Sequence, residues 1–195
     1  LSFQFYTDEQ MKAPLPVDNG NPVLRIEKNR TKTKKGELYF GSKLLGRQLT
    51  PQASSTDTNV KLIVAEANQA WKASKDVVSG QIVQPENGFM YKASKGGKTG
   101  TSAPVWPLMP DMPIDDGSTR WVNIGTAFDM SNFKMALSES GLASGLSIVN
   151  LPATINSGAA IPIWFKATNA DPYLRSDATD PIVRIQINKV TEKAV

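Results

Sequence analysis

The sequence contains no cysteine and no histidine. Without cysteine there is no thiol nucleophile, no disulfide and no thiolate ligand for a metal. Without histidine the side chain that moves protons near neutral pH is missing, and with it a common zinc and copper ligand. Ser-His-Asp and Cys-His catalysis are therefore excluded within this chain, while carboxylate and lysine chemistry stay open. Long apolar runs are absent too. None approaches the ~18 residues that cross a bilayer as a helix, so no membrane insertion is expected. The opening stretch LSFQFYTDEQ lacks the basic-then-apolar pattern of a secretory signal. Charge of one sign is also scarce: 22 Lys and Arg against 18 Asp and Glu leave a net +4. That surplus gives weak attraction to anionic surfaces and does not make nucleic acid an expected partner.

What is present points to a mostly β protein. At 195 residues and 40% hydrophobic content the chain can bury a core, and its 14 glycines and 13 prolines suit short elements joined by turns. Alternation predicts strands over residues 2–6, 23–27, 37–40, 60–64, 146–149, 160–167 and 181–188. The last is the cleanest, with Val183, Ile185 and Ile187 on one face. Pro162 implies an edge position or a strand beginning. Between the strands we expect a basic loop over 28–36 with Lys35-Gly36 as a hairpin turn, a polar loop over 49–58, and a short helical turn over 131–137. Residues 65–71 suit either a helical turn or an extension of the preceding strand.

From residue 80 onward the texture changes to Gly, Pro, Trp and Asp with little aliphatic periodicity. The expected architecture is an antiparallel β-sandwich, immunoglobulin-like or jelly-roll-like, built from residues 1–79 and 128–195. Residues 80–127 form a small inserted Gly/Pro/Trp-rich β-module. Within it, Gly96-Gly97 and Gly100 permit tight turns, Pro104 and Pro107 bracket Trp106 in extended backbone, and Asp116-Gly117 is a hairpin-turn pair.

The candidate site residues fall into two groups. Tyr91, Trp106 and Trp121 serve either as the core of the module or as an aromatic platform for a cell-surface glycan. Arg25, Lys28, Arg30, Lys32, Lys34 and Lys35 are either a solvated loop or a contact for another subunit or an anionic surface. No aromatic residue interleaves with these charges, which argues against single-stranded nucleic acid. Asp111, Asp115 and Asp116 do not have the spacing of a calcium loop, and nothing sets two carboxylates across a cleft for glycoside hydrolysis. Gly41-Ser42-Lys43 lacks the rest of a phosphate-loop pattern. No catalytic residue, metal or cofactor is expected.

Two stretches resemble known proteins. The first runs from Tyr91 through Ala93, Gly97, Thr99-Gly100, Pro104, Trp106-Pro107 and Asp116-Gly117 to Trp121. It resembles a short module of tail and fibre-associated proteins of tailed bacteriophages; small carbohydrate-binding modules are similar. The second, Ser157-Gly158-Ala159 through Pro162, Trp164 and Lys166, resembles a strand near the end of some phage virion proteins, with Lys166 where arginine is common. The resemblance implies a non-enzymatic virion structural protein, a tail or baseplate component, that forms homo-oligomers and packs against other virion subunits. The alternatives are a capsid decoration protein and a carbohydrate-binding protein for host recognition.

Overall fold

The computed structural model describes residues 1–18, 21–25, 33–66, 69–168 and 182–195. The chain is mostly β. In chain order the strands are β1 (Gln4–Tyr6), β2 (Val17–Asp18), β3 (Asn21–Arg25), β4 (Thr33–Gly41), β5 (Arg47–Pro51) and β6 (Lys61–Glu66). There follow β7 (Asp76–Val77), β8 (Ile82–Val83), β9 (Phe89–Lys95), β10 (Gly97–Lys98), β11 (Pro113–Asp116) and β12 (Thr119–Thr126). The chain closes with β13 (Phe133–Ala136), β14 (Ile148–Asn150), β15 (Ile155–Asn156), β16 (Ala160–Thr168), β17 (Ile182–Ile187) and β18 (Val190–Ala194). Every pairing between these strands is antiparallel. The described residues of Leu1–Glu66, Asp129–Ala170 and Ile182–Val195 form one compact unit, and those of Ala67–Phe128 form another.

The first unit carries three sheets, with strand orders β1-β4-β16-β13, β14-β6-β17-β3-β2 and β15-β5-β18. In the first sheet Phe5, Phe40, Leu38, Ile163, Phe165, Met135 and Phe133 share one buried face. In the second, Leu62, Val64, Val149, Val183 and Ile185 do the same. Sheets with one apolar face each bury it against another element, which gives this unit its sandwich-like character. The edge strands β1 and β2 border a cavity of about 390 Å³ lined by Leu1, Phe3, Phe5, Leu15, Val17 and Ile187, among others.

Register explains where the local expectations miss. Lys35-Gly36 is not a turn: β4 runs straight through it, paired with β16 from Gly41 opposite Ala160 to Thr33 opposite Thr168. Gly36 is there for a different reason. It lies directly across from Phe165, and a Cβ at Gly36 would stand 2.5 Å from that ring. Part of the expected loop over 49–58 is strand, because Leu49 of β5 is fully buried opposite Ile155. The expected helical turn is only a 3-10 turn at Met130–Asn132, capped by the Asp129 carboxylate accepting from Ser131 N at 2.8 Å. The chain then goes over to β13, since Phe133 and Met135 alternate into the core and Phe133 stacks on Phe165 with ring centroids 5.6 Å apart. Residues 65–66 continue the strand β6.

Pro162 lies in β16 between two neighbours, but β13 pairs only from Trp164 to Ala167. At Pro162 the strand has β4 on one side alone, opposite Tyr39, so a residue without an N–H is tolerated. The strand expected over 23–27 is seen to Arg25, and its last two residues lie outside the described residues.

A polar clasp ties the start of β6 to the end of β17. Asn188 donates to Asp57 Oδ2 at 2.9 Å and to the Asn59 carbonyl at 3.0 Å, and accepts from Lys61 N at 2.8 Å. The Lys61 ammonium pairs with the other Asp57 oxygen. The Asn188 amide, then the Lys61 ammonium, hold the Asp57 carboxyl down to about 2, against an ordinary 3.8.

Two predictions follow from this packing. Gly36→Ala should destabilise the chain by about 1–3 kcal/mol through overpacking, read from the denaturant midpoint. The loss should shrink in a Phe165→Leu background, where the ring tip is gone. Because the folded Asp57 value is depressed, its stabilisation is present above the ordinary value and lost as pH falls toward the folded one. The midpoint should therefore drop between about pH 4 and about pH 2, and the Asp57→Asn variant should show a shallower drop over that window.

Candidate functional site: an apolar loop on an aromatic core

The second unit is built on the sheet β11-β12-β9-β8 and the pair β10-β7. Trp121 pairs with Ala93 and Asn123 with Tyr91, so these four residues share a face, with Ile114 and Val83 beside them. A small residue opposite the largest one leaves room for the indole. Val77, Val83, Tyr91, Ala93 and Trp121 form the buried cluster, and Trp71, Phe89, Trp106 and Ile114 pack against it. Residues 69–79 thus belong to this unit, ahead of the expected start at residue 80: Trp71 and Val77 join its core, and Gln69 bridges to Val83.

At the centre lies the Asp116 carboxylate, 3% exposed. Oδ2 accepts from Trp71 Nε1 at 2.8 Å and from Trp121 Nε1 at 2.9 Å; Oδ1 accepts from Gly100 N at 2.7 Å. A buried carboxylate needs such donors, and buried indole N–H groups need an acceptor, so each satisfies the other. Asp116 is the last paired residue of its hairpin, opposite Thr119. The two-residue turn is therefore Gly117-Ser118, one position beyond the expected Asp116-Gly117. Gly117 takes φ +62, at the place where type II′ hairpins favour glycine.

The aromatic trio is split by this arrangement. Tyr91 and Trp121 are 0% exposed and are core residues. Neither offers a free face to a sugar, so a three-ring platform is not formed. Trp106 is half-buried, 4.4 Å from the Tyr91 ring and 6.1 Å from the Trp121 ring, the latter edge-on. Tyr91 OH accepts from Asn87 Nδ2 at 2.8 Å and donates to the Pro107 carbonyl at 3.0 Å. Burial pushes the Tyr91 phenol up. Asn123 Nδ2 donates to the same carbonyl at 2.7 Å.

These contacts hold down a loop whose other side chains face outward. Val105 is 91% exposed, Leu108 62%, Met109 69% and Met112 47%. The far end of the loop is pinned by Asp111 N to the Asn123 carbonyl at 2.9 Å and by Asn123 N to the Met112 carbonyl at 3.1 Å. Four large apolar residues are thus exposed within eight positions, on a segment fixed at both ends. The sequence reading missed them. The signal was present in Pro104, Pro107, Pro110 and Pro113: a proline at every third position prevents any helix or central strand that would bury the residues between.

The aspartates do not assemble. Asp116 is buried in its hydrogen bonds, while Asp115 is exposed and pairs with Arg120 at 3.6 Å. Among the described residues no group of three or more acidic side chains is placed to hold a metal ion. Nor, among them, is any helix long and apolar enough to cross a membrane.

Of the basic residues, Lys28, Arg30 and Lys32 lie outside the described residues, and Arg25 is exposed at the end of β3. Lys34 and Lys35 belong to β4 and point to opposite faces. Lys34 is half-buried on the side of Leu38 and Phe40. Lys35 faces outward, opposite Lys166, which is opposite Lys134. This row of three lysines crosses three strands, and Lys35 Nζ pairs with Glu139 at 3.5 Å. Comparison of the chain with family models, with curated proteins and with solved structures finds no match.

The Asp116 hub yields a prediction. Asp116→Ala leaves two indole N–H groups without an acceptor and should cost about 1–3 kcal/mol for each. Its expected signature is a red shift of tryptophan emission with early unfolding of the second unit. Leu108→Asp, on the exposed side of the loop, should leave both unchanged.

Proposed function

We propose that this chain is a non-enzymatic structural subunit of a tailed-phage particle, a tail or baseplate component that works by packing against copies of itself and neighbouring virion subunits. The observation that carries this reading is the loop bearing Val105, Leu108, Met109 and Met112, apolar and exposed yet tied to a buried aromatic core. A protein that keeps such a surface in water meets a partner there, and apolar burial drives the association. The resemblance of the segment from Tyr91 to Trp121 to modules of phage tail proteins supports the same reading. The lysine row on the first sheet supplies a second, polar contact, suited to an acidic neighbour.

Light scattering on the purified chain tests this. We expect a defined oligomer, and Leu108→Asp should lower its mass toward that of one chain. An apolar contact keeps its strength at high salt, whereas a contact through the lysine row weakens. A wild-type chain that stays monomeric at every concentration and salt level overturns the assembly reading. Tryptophan fluorescence that then responds to sugar, and loses the response in Trp106→Ala, would transfer the assignment to glycan binding.

A further inference from the structure

Sulfur enters this chain only as thioether, since it has six methionines and no cysteine. Four of the six are shielded. Met11, Met90 and Met135 are 7%, 3% and 1% exposed, and Met130 is half-buried in its 3-10 turn. Met109 and Met112 differ, at 69% and 47%. They bracket one turn: Met112 N donates to the Met109 carbonyl at 3.3 Å, and Asp111 between them takes φ +66. The first and last residues of such a four-residue turn lie within about 7 Å of each other at Cα. The two thioethers therefore leave neighbouring points of the backbone. The contacts that fix this loop are made by other groups. Trp106 rests on Tyr91, the Pro107 carbonyl accepts from Tyr91 and Asn123, and the Asn123 backbone bonds to those of Asp111 and Met112.

We propose that Met109 and Met112 form an oxidation site for peroxides, and that their oxidation switches off the apolar contact of the loop. The switch rests on the assembly reading; the site does not. The thioether sulfur attacks one oxygen of hydrogen peroxide, the O–O bond breaks and an S–O bond forms. Sulfur gives up two electrons, the peroxide is reduced, and proton transfer to the departing oxygen releases water. The product at each residue is a sulfoxide, polar where the thioether was apolar, and reducible enzymatically back to methionine. With no thiol in the chain to consume the oxidant first, access to the sulfur sets the order of reaction. Two of the four exposed apolar side chains of the loop then become hydrogen-bond acceptors. Burying such groups without donors is unfavourable, so a contact made through the loop weakens. The core methionines stay shielded and the loop keeps its anchors, so the surface changes while the fold does not.

Limited treatment of the folded chain with hydrogen peroxide, followed by peptide mass spectrometry, tests the site. Two oxygen atoms should add per chain, at Met109 and Met112, before Met11, Met90, Met130 or Met135 gains one. In denaturant all six should react at similar rates, which shows that the fold sets the order. If any of the four shielded methionines keeps pace with the pair in the folded chain, the site is wrong. Light scattering before and after treatment tests the switch. The oxidised oligomer should fall toward the mass of one chain, and methionine sulfoxide reductases should restore it. The double variant Met109→Leu with Met112→Leu should keep its mass in peroxide. Far-UV circular dichroism should stay unchanged; a loss of signal would mean that unfolding lowers the mass, and the switch is then wrong. An oligomer that keeps its mass with both residues oxidised overturns the switch and leaves the assembly reading intact. A chain that is monomeric before treatment overturns the assembly reading and the switch together, while the order of oxidation still decides the site.

Discussion

The second unit depends on one carboxylate. Asp116 gathers the indole N–H groups of Trp71 and Trp121 and the backbone N–H of Gly100. A unit with few aliphatic residues has to build its core from large aromatic ones, and each indole brings a polar group that must be satisfied inside. A single acceptor with two oxygens does this for both tryptophans and also fixes the loop at Gly100. The hairpin that carries Asp116 brings Trp121 onto the same centre, so turn, core and polar network depend on one another.

From that centre the order extends outward to the exposed loop. Trp106 rests against Tyr91 and Trp121, and the Pro107 carbonyl takes hydrogen bonds from Tyr91 and Asn123. The residues on either side of this anchor are held by it without being buried themselves. Fixing the loop during folding removes much of the ordering cost that a partner would otherwise meet on binding. The loop therefore presents apolar side chains on a backbone whose position is set in advance.

Strand alternation was legible where it coincides with one-sided burial, as at Val183 and Ile185 or at Ile163 and Phe165. It was hidden where lysines and a glycine occupy a strand. Thr33–Gly41 begins as a basic stretch, and nothing local announces that Gly36 leaves room for a ring two strands' side chains share. The aromatic trio was legible as a group. Which ring is buried was not, because that depends on the pairing of Trp121 with Ala93 and on the buried acceptor Asp116. The apolar loop was overlooked for a related reason: periodicity describes residues inside regular elements, and this loop has none.

The lysine row on the first sheet has a consequence of its own. Lys35, Lys166 and Lys134 stand side by side across β4, β16 and β13. Like charges directly opposite one another weaken strand pairing, and the apolar face behind them offsets that cost. Two copies that approached through this outer face would set lysine against lysine. The row therefore acts against the stacking of like sheets and leaves this outer face open only to a surface of opposite charge.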